Sequence, residues 1–176
     1  MYDFDKIINR YNTSSEKYDA RFPKDADNNL LPMRVADMDF RTADPVLDAI
    51  CKYTKHGIFG YVHAPDSLYD SIDNWFLQNH GLTVKREHVV HTPGVVFAIV
   101  VAIRAFTEIG DAVMIQQPVY YPFAGSIINN GRKLVNSPLI RTDHGYVIDL
   151  DDFEKKIVEN NVKMFLLCSL DRKSVV

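Results

Sequence analysis

The chain has 176 residues, of which 47% are hydrophobic and 24% are charged, and its net charge is −3. A domain of this size buries about 70% of the surface of its unfolded chain, so a substantial core is possible. The composition is that of a globular protein, and the near balance of charges excludes a nucleic-acid-binding arm and a polybasic membrane patch. No apolar run approaches the roughly 20 residues of a membrane-spanning helix, and the acidic N-terminus does not resemble a signal peptide.

The residues that could bind a metal are few. Cys51 and Cys168 are the only cysteines, and they lie far apart without metal-ligand spacing. His88 and His91 are three residues apart on a predicted strand, so they would face opposite sides and could not share a metal. We therefore expect no metal site and reduced thiols in a cytoplasmic protein.

The first 43 residues show weak periodicity and are expected to form an N-terminal arm with an extended segment. Two helices follow. Asp44 is predicted to cap the first, and Gly57 lies past its end. The second begins near Pro65 and stops at Gly81. An apolar stripe on this second helix is predicted to face the core: Leu68, Ile72, Trp75 and Phe76.

From residue 88 onward, strands alternate with helices. The predicted strands are 88–91, 112–116, 133–138 and 163–168, and the predicted helices are 95–108, 121–130 and 149–159. The last strand is a continuous apolar run, which is typical of a strand covered on both faces. The alternation predicts an α/β fold, in which a mostly parallel sheet carries helices on both faces.

Ligands of such sheets bind beyond the carboxyl ends of the strands. Thr92, Pro93 and Gly94 follow the first predicted strand and lead into a helix, whose free N–H groups and dipole favour an anion such as phosphate. The alternative is that Gly94 only makes a tight turn. The chain has no Gly-x-Gly pair and no Gly-Lys-Ser or Gly-Lys-Thr step, so a phosphate here would belong to a small cofactor rather than a dinucleotide or nucleoside triphosphate.

Two further pairs of residues could contribute chemistry. Tyr120 and Tyr121 follow the second predicted strand, where a tyrosine can stack on a planar ring, although a core or interface aromatic is the commoner role. Asp37 and Asp39 lie two residues apart in extended chain and therefore face the same side. They could form an acid/base pair, or they could serve a turn or capping role.

Four sequence segments, taken in chain order, point to a known family. They are 35–40 (Val-Ala-Asp-Met-Asp-Phe), 56–61 (His-Gly-Ile-Phe-Gly-Tyr), 92–96 (Thr-Pro-Gly-Val-Val) and 117–123 (Gln-Pro-Val-Tyr-Tyr-Pro-Phe). With the opening 2–5 (Tyr-Asp-Phe-Asp), they resemble the MalY/PatB family of pyridoxal-phosphate-dependent carbon–sulfur β-lyases, which are of the cystathionine β-lyase type. The resemblance extends from residue 1 to about Ser169.

The resemblance implies the class I/II aminotransferase fold, with residues 44–169 as the first, incomplete part of a large domain that binds pyridoxal 5'-phosphate. The backbone of Gly94, Val95 and Val96 would hold the cofactor phosphate. Tyr120 would stack on the pyridine ring.

The resemblance also implies a homodimer and a substrate side. Tyr61 would reach across the dimer interface to the cofactor phosphate of the partner. Asp37, Met38 and Asp39 would line the substrate side, near the substrate carboxylate.

The implied reaction is β-elimination, in which cystathionine or a cysteine conjugate gives a thiol, pyruvate and ammonia. In this chemistry a lysine is both Schiff-base partner and base. An aminotransferase of the same fold is the near alternative. A non-catalytic phosphate-binding or interaction module is the alternative from another class.

The sequence departs from the family after Ser169, and the tail 170–176 does not match it. The Schiff-base lysine, the aspartate for the pyridine nitrogen and the arginine for the substrate carboxylate are all expected beyond this point. Lys155, Lys156 and Lys163 have the wrong context, so no catalytic residue is assigned in this chain.

We therefore expect the N-terminal part of a larger enzyme. The strand at 88–91 would lack its neighbours, and the helix at 94–109 would expose apolar surface. The isolated chain should be poorly folded and inactive. A cooperative thermal transition together with an absorbance band from bound pyridoxal phosphate would contradict this expectation.

Overall fold

The computed structural model describes residues 3–20, 32–33 and 35–168. The chain divides into two compact units, Met1–Ala64 and Pro65–Val176. The tail at 170–176 and residues 30, 31 and 34 of the expected extended segment lie outside the described residues. The domain boundary expected after residue 43 stays a prediction.

The first unit contains the helix α1 (Asp44–His56). Gly57 ends it with a φ of 73°, a left-handed conformation that glycine adopts without strain. The predicted cap is wrong, because Ala43 is the N-cap and makes no side-chain hydrogen bond. The Asp44 carboxylate instead forms an ion pair with Arg41.

The second unit contains four helices and five strands among its described residues. In chain order they are α2 (Asp66–His80), α3 (Val95–Phe106), β1 (Ala112–Ile115), α4 (Pro122–Ile128), β2 (Lys133–Asn136), β3 (Ile140–Thr142), β4 (Gly145–Val147), α5 (Leu150–Asn160) and β5 (Val162–Phe165). The elements predicted from residue 95 onward all occur, within a few residues of their predicted bounds. The antiparallel hairpin of β3 and β4 was not predicted.

The strand β1 is the centre of a three-stranded parallel sheet with the order β2-β1-β5. Val113 of β1 pairs with Leu134 on one side and with Met164 on the other. All four residues of β1 are buried, as expected of a strand covered on both faces.

Helices cover the two faces of this sheet. On one face, β1 packs against Ile103 of α3 and against Phe123 and Ile127 of α4, with Met164 at the edge of the same cluster. The neighbouring Phe165 points to the other face, where its ring lies 5.0 Å from that of Phe153 on α5. The predicted α/β arrangement is confirmed.

The predicted strand at 88–91 does not form. Arg86–His88 is a short 3-10 turn, and residues 89–91 have no strand partner. A strand is stabilised by hydrogen bonds to a neighbour, and in the described part of the chain no strand runs beside this segment.

The helix after this segment exposes apolar surface, as expected. Phe97 and Phe106 of α3 are 52% and 76% exposed. Neither α3 nor any other helix within the described ranges is long and apolar enough to span a membrane.

The apolar stripe of α2 is not part of the core, contrary to the prediction. Trp75 is 54% exposed and Leu68 is 38% exposed, whereas Ile72 and Phe76 are half-buried. The periodicity correctly predicts an apolar face on the helix. No other element of the described chain packs closely along that face, so no residue of α2 is fully buried.

The core predicts different effects for two neighbouring isoleucines of α4. Ile127→Ala should lower the free energy of unfolding by about 2–5 kcal/mol, because the side chain is completely buried. Ile128→Ala should lower it by less than about 1 kcal/mol, because Ile128 is 57% exposed. Urea unfolding of both variants, in the protein at the length that its gene encodes, checks the difference, and equal losses would contradict the orientation of α4.

Candidate functional site

The amino end of α3 is open to a ligand. Its N-cap is Gly94, which provides no side-chain hydrogen bond to the helix. The first intrahelical bond joins the Ala98 N–H to the Gly94 carbonyl over 3.0 Å, so the N–H groups of Val95 and Val96 lie ahead of it. Val95 is 66% exposed, and a Cβ atom at Gly94 would have no neighbour within 4 Å. The helix end has both donors and space for an anion.

The segment that follows β1 presents an aromatic ring. Tyr120 is 40% exposed, and its ring centroid lies 6.2 Å from that of Phe123 and 5.3 Å from that of Tyr121. Phe123 is buried in the core. Tyr120 therefore packs against the core on one side while part of its ring is accessible, which suits stacking on a planar ligand.

A pair of amide side chains joins the ends of β1 and β2. The Gln117 N–H donates to Oδ1 of Asn136 over 3.0 Å, and Nδ2 of Asn136 donates to Oε1 of Gln117 over 2.9 Å. The sequence analysis missed this pair. The signal was available, because both residues lie near the carboxyl ends of predicted strands, where ligand sites form.

In the first unit, two basic residues bind the predicted substrate-side segment. Arg10 donates to Oδ1 of Asp39 over 2.7 Å and forms an ion pair with Asp37. Lys17 donates to Oδ2 of Asp39 over 2.7 Å and to the Asp37 carbonyl over 3.1 Å. Lys17 is only 8% exposed. We name these four residues the ion cluster. Neither basic residue was predicted as a site residue from the sequence, because both lie in a stretch without periodicity.

The ion cluster lowers the pKa of both of its carboxyl groups. Lys17, and then Arg10 and Tyr18, lower the pKa of Asp39 to about 2. Arg10 lowers the pKa of Asp37. Both carboxyls are therefore ionised at neutral pH, which suits an anchor better than a proton donor.

The other predicted site residues of the first unit are exposed. Met38 is 77% exposed, and its carbonyl accepts a hydrogen bond of 3.2 Å from Arg10. Tyr61 is fully exposed beyond α1. The substrate-side role of Met38 and its neighbours, and the contact of Tyr61 with a partner, stay predictions. Within the described ranges, no three His, Cys, Asp or Glu residues group as metal ligands would.

Known proteins are similar to this chain in sequence. The profile of the family "Aminotransferase class I and II" matches residues 29–171. Cystathionine beta-lyase PatB of Bacillus subtilis (strain 168) is 40% identical over 167 residues, which are 95% of this chain and 43% of that protein. Protein MalY of Escherichia coli (strain K12) is 31% identical over 170 residues, which are 96% of this chain and 44% of that protein. The chain thus spans less than half the length of these relatives.

A solved structure shares the fold as well. Cystalysin from Treponema denticola, whose crystal structure contains a pyridoxal 5'-phosphate cofactor, matches with a TM-score of 0.88 at 33% identity. The match covers 96% of this chain and 43% of that chain. These likenesses confirm the resemblance drawn from the four sequence segments, together with the fold that it implies.

The ion cluster predicts an acid-dependent stability. The pKa of Asp39 is about 2 in the folded chain against an ordinary 3.8, so its ionised form stabilises the folded state above about pH 4. That contribution is lost as the pH falls towards 2. Asp39→Asn should therefore lower the midpoint of thermal unfolding at pH 5, and its difference from the unmodified protein should close between pH 4 and pH 2.

Thermal unfolding of the protein at the length that its gene encodes, monitored by circular dichroism from pH 5 to pH 2, measures this difference. Asp70→Asn, at an exposed position of α2, is the matched control and should have little effect at any pH. A difference for Asp39→Asn that is independent of pH would contradict the role of the ion cluster.

Proposed function

Because the chain belongs to the class I and II aminotransferase family, we propose that it forms the phosphate and ring side of a pyridoxal 5'-phosphate site in a carbon–sulfur β-lyase. The observation that carries the proposal is the amino end of α3, where Gly94 leaves the first N–H groups without a side-chain cap. A phosphate at this position would be stabilised by those N–H groups and by the helix dipole. The open space at Gly94 fits such a group.

The chain's own residues would bind and orient the cofactor. The N–H groups of Gly94, Val95 and Val96 would donate to the phosphate oxygens. Tyr120 would stack on one face of the pyridine ring and keep water from that face. When bound, pyridoxal phosphate supplies an electron sink for the electron pair that remains on the α-carbon of an amino acid.

The relatives favour a lyase over an aminotransferase. PatB, which is named a cystathionine beta-lyase, matches 95% of this chain at 40% identity. The proposed substrates are amino-acid thioethers such as cystathionine or cysteine conjugates, and the products are a thiol, pyruvate and ammonia. With these substrates, the proposed role is in amino-acid metabolism.

No lysine of the described chain is proposed as the Schiff-base partner. Lys156 donates to the Asn136 carbonyl over 2.7 Å and lies 3.2 Å from the Asp152 carboxylate, so it is already held on α5. Lys155 faces Glu159 on the same helix. We assign the catalytic lysine to a part of the enzyme outside residues 3–168, and we expect the 176-residue chain alone to be inactive.

The assembly that we propose is a cytoplasmic homodimer. The segment after α1 exposes Ile58, Phe59 and Tyr61, a surface that an identical subunit would cover. By the family resemblance, Tyr61 would then reach the partner's cofactor phosphate. The low number of cysteines supports a reducing compartment.

One substitution tests the phosphate site. Val95→Pro removes one N–H at the first position of α3, where proline is well tolerated, so the helix should persist. The affinity for pyridoxal phosphate should fall by about tenfold or more, because a charge-assisted hydrogen bond is lost. Leu150→Pro makes the same change at the exposed first position of α5 and should leave the affinity unchanged. Spectrophotometric titration of the protein, at the length that its gene encodes, measures both.

The reaction is tested with cystathionine as the substrate and pyruvate as the measured product. The proposal expects an absorbance band from bound cofactor and pyruvate formation. Amino transfer to a keto acid without pyruvate would instead identify an aminotransferase. Phosphate binding without the absorbance band would indicate a non-catalytic module. An equal loss of affinity in the two proline variants would exclude α3 as the phosphate site.

A further inference from the structure

The loop between β1 and α4 is fixed at both of its ends. At one end, the Gln117 N–H and Oε1 both bond to Asn136, and the Gln117 carbonyl accepts from the Leu139 N–H over 2.8 Å. At the other end, the Tyr120 carbonyl accepts from the Phe123 N–H over 3.1 Å, which ties it to α4. The loop that carries Tyr120 is therefore anchored at both of its ends, and Asn136 supplies the side-chain anchor at the Gln117 end.

The Asn136 anchor is itself held from the opposite side. Lys156 of α5 donates to the Asn136 carbonyl over 2.7 Å and lies 3.2 Å from Asp152. Asp152 accepts a hydrogen bond of 2.8 Å from the hydroxyl of Ser137, which is completely buried. The hydroxyl of Ser137, and then Lys156, lower the pKa of Asp152, so this carboxylate is charged at neutral pH. Hydrogen bonds thus continue from the loop through the end of β2 to α5.

We propose that Asn136 is a positioning residue for Tyr120, which sets where the loop leaves the sheet and so where the tyrosine ring meets the cofactor. This inference rests on the proposed function and adds to it a residue that touches neither cofactor nor substrate. Only Pro118 and Val119 separate Gln117 from Tyr120, and proline fixes its own φ. A displacement at Gln117 is therefore transmitted to Tyr120 through few soft dihedral angles.

The chain offers a matched control for a merely structural role. Asn130, at the opposite end of α4, also makes two side-chain hydrogen bonds. Its Oδ1 accepts from Arg104 over 2.7 Å, and its Nδ2 donates to the Ser126 carbonyl over 2.7 Å. Removing either asparagine costs two hydrogen bonds, but only Asn136 holds the loop that carries Tyr120.

The experiment compares Asn136→Leu with Asn130→Leu in the protein at the length that its gene encodes. Three quantities are measured: the midpoint of thermal unfolding without cofactor, the affinity for pyridoxal phosphate and the circular dichroism of the cofactor band. Both variants should lower the midpoint to a similar extent. Only Asn136→Leu should weaken the affinity, by about tenfold, and reduce the dichroism of the cofactor.

Substitutions at Gln117 provide a second test on an exposed residue, which does not depend on whether Asn136→Leu folds. Gln117→Glu keeps an acceptor for Nδ2 of Asn136 and should retain the affinity within about twofold. Gln117→Leu removes that acceptor and should weaken the affinity by about threefold to tenfold.

The outcomes separate this inference from the proposed function. If the unmodified protein does not bind pyridoxal phosphate, the proposed function fails and the inference fails with it. If the unmodified protein binds but Asn136→Leu and Asn130→Leu have equal effects on affinity and dichroism, the positioning role alone is overturned. Equal affinities of Gln117→Glu and Gln117→Leu would overturn it as well.

Discussion

The parallel pairing of β1 with both β2 and β5 organises the core of the second unit. Burial of β1 on both faces holds α3 and α4 on one side of the sheet and α5 on the other. Because the strands are parallel, their carboxyl ends meet at one edge of the sheet. That edge brings Gln117 and Asn136 together, and the loop that carries Tyr120 starts from this pair.

The described residues of the first unit include no buried apolar side chain. Lys17, which is 8% exposed, is the only buried residue among them. Its ammonium group lies between Asp39 and the Asp37 carbonyl, and Arg10 joins both carboxylates. The predicted substrate-side segment is thereby bound to the N-terminal arm.

Local sequence signals predicted most of the second unit, and long-range pairing explains what they missed. The apolar run at 112–115 and the start of the helix predicted at 149–159, where the Asp149 side chain accepts from the Asp152 N–H, both depend on residues close in sequence. The strand predicted at 88–91 does not form, because a strand needs a hydrogen-bonded neighbour and no described strand runs beside this segment. The open helix end at Gly94 was predicted because a Thr-Pro-Gly turn leads directly into a helix in the sequence. The bond of Arg10 to Asp39 and the bonds between Asn136 and Gln117 join residues 19 or more positions apart, and periodicity does not report such contacts.

We propose that the amino end of α3 binds the cofactor phosphate while Tyr120 covers the ring. A crystal structure of the protein with pyridoxal phosphate, at the length that its gene encodes, tests this claim. We expect phosphate oxygens within hydrogen-bond distance of the N–H groups of Val95 and Val96, and the Tyr120 ring parallel to the pyridine ring. A phosphate bound elsewhere, with no ligand at the end of α3, would contradict the claim.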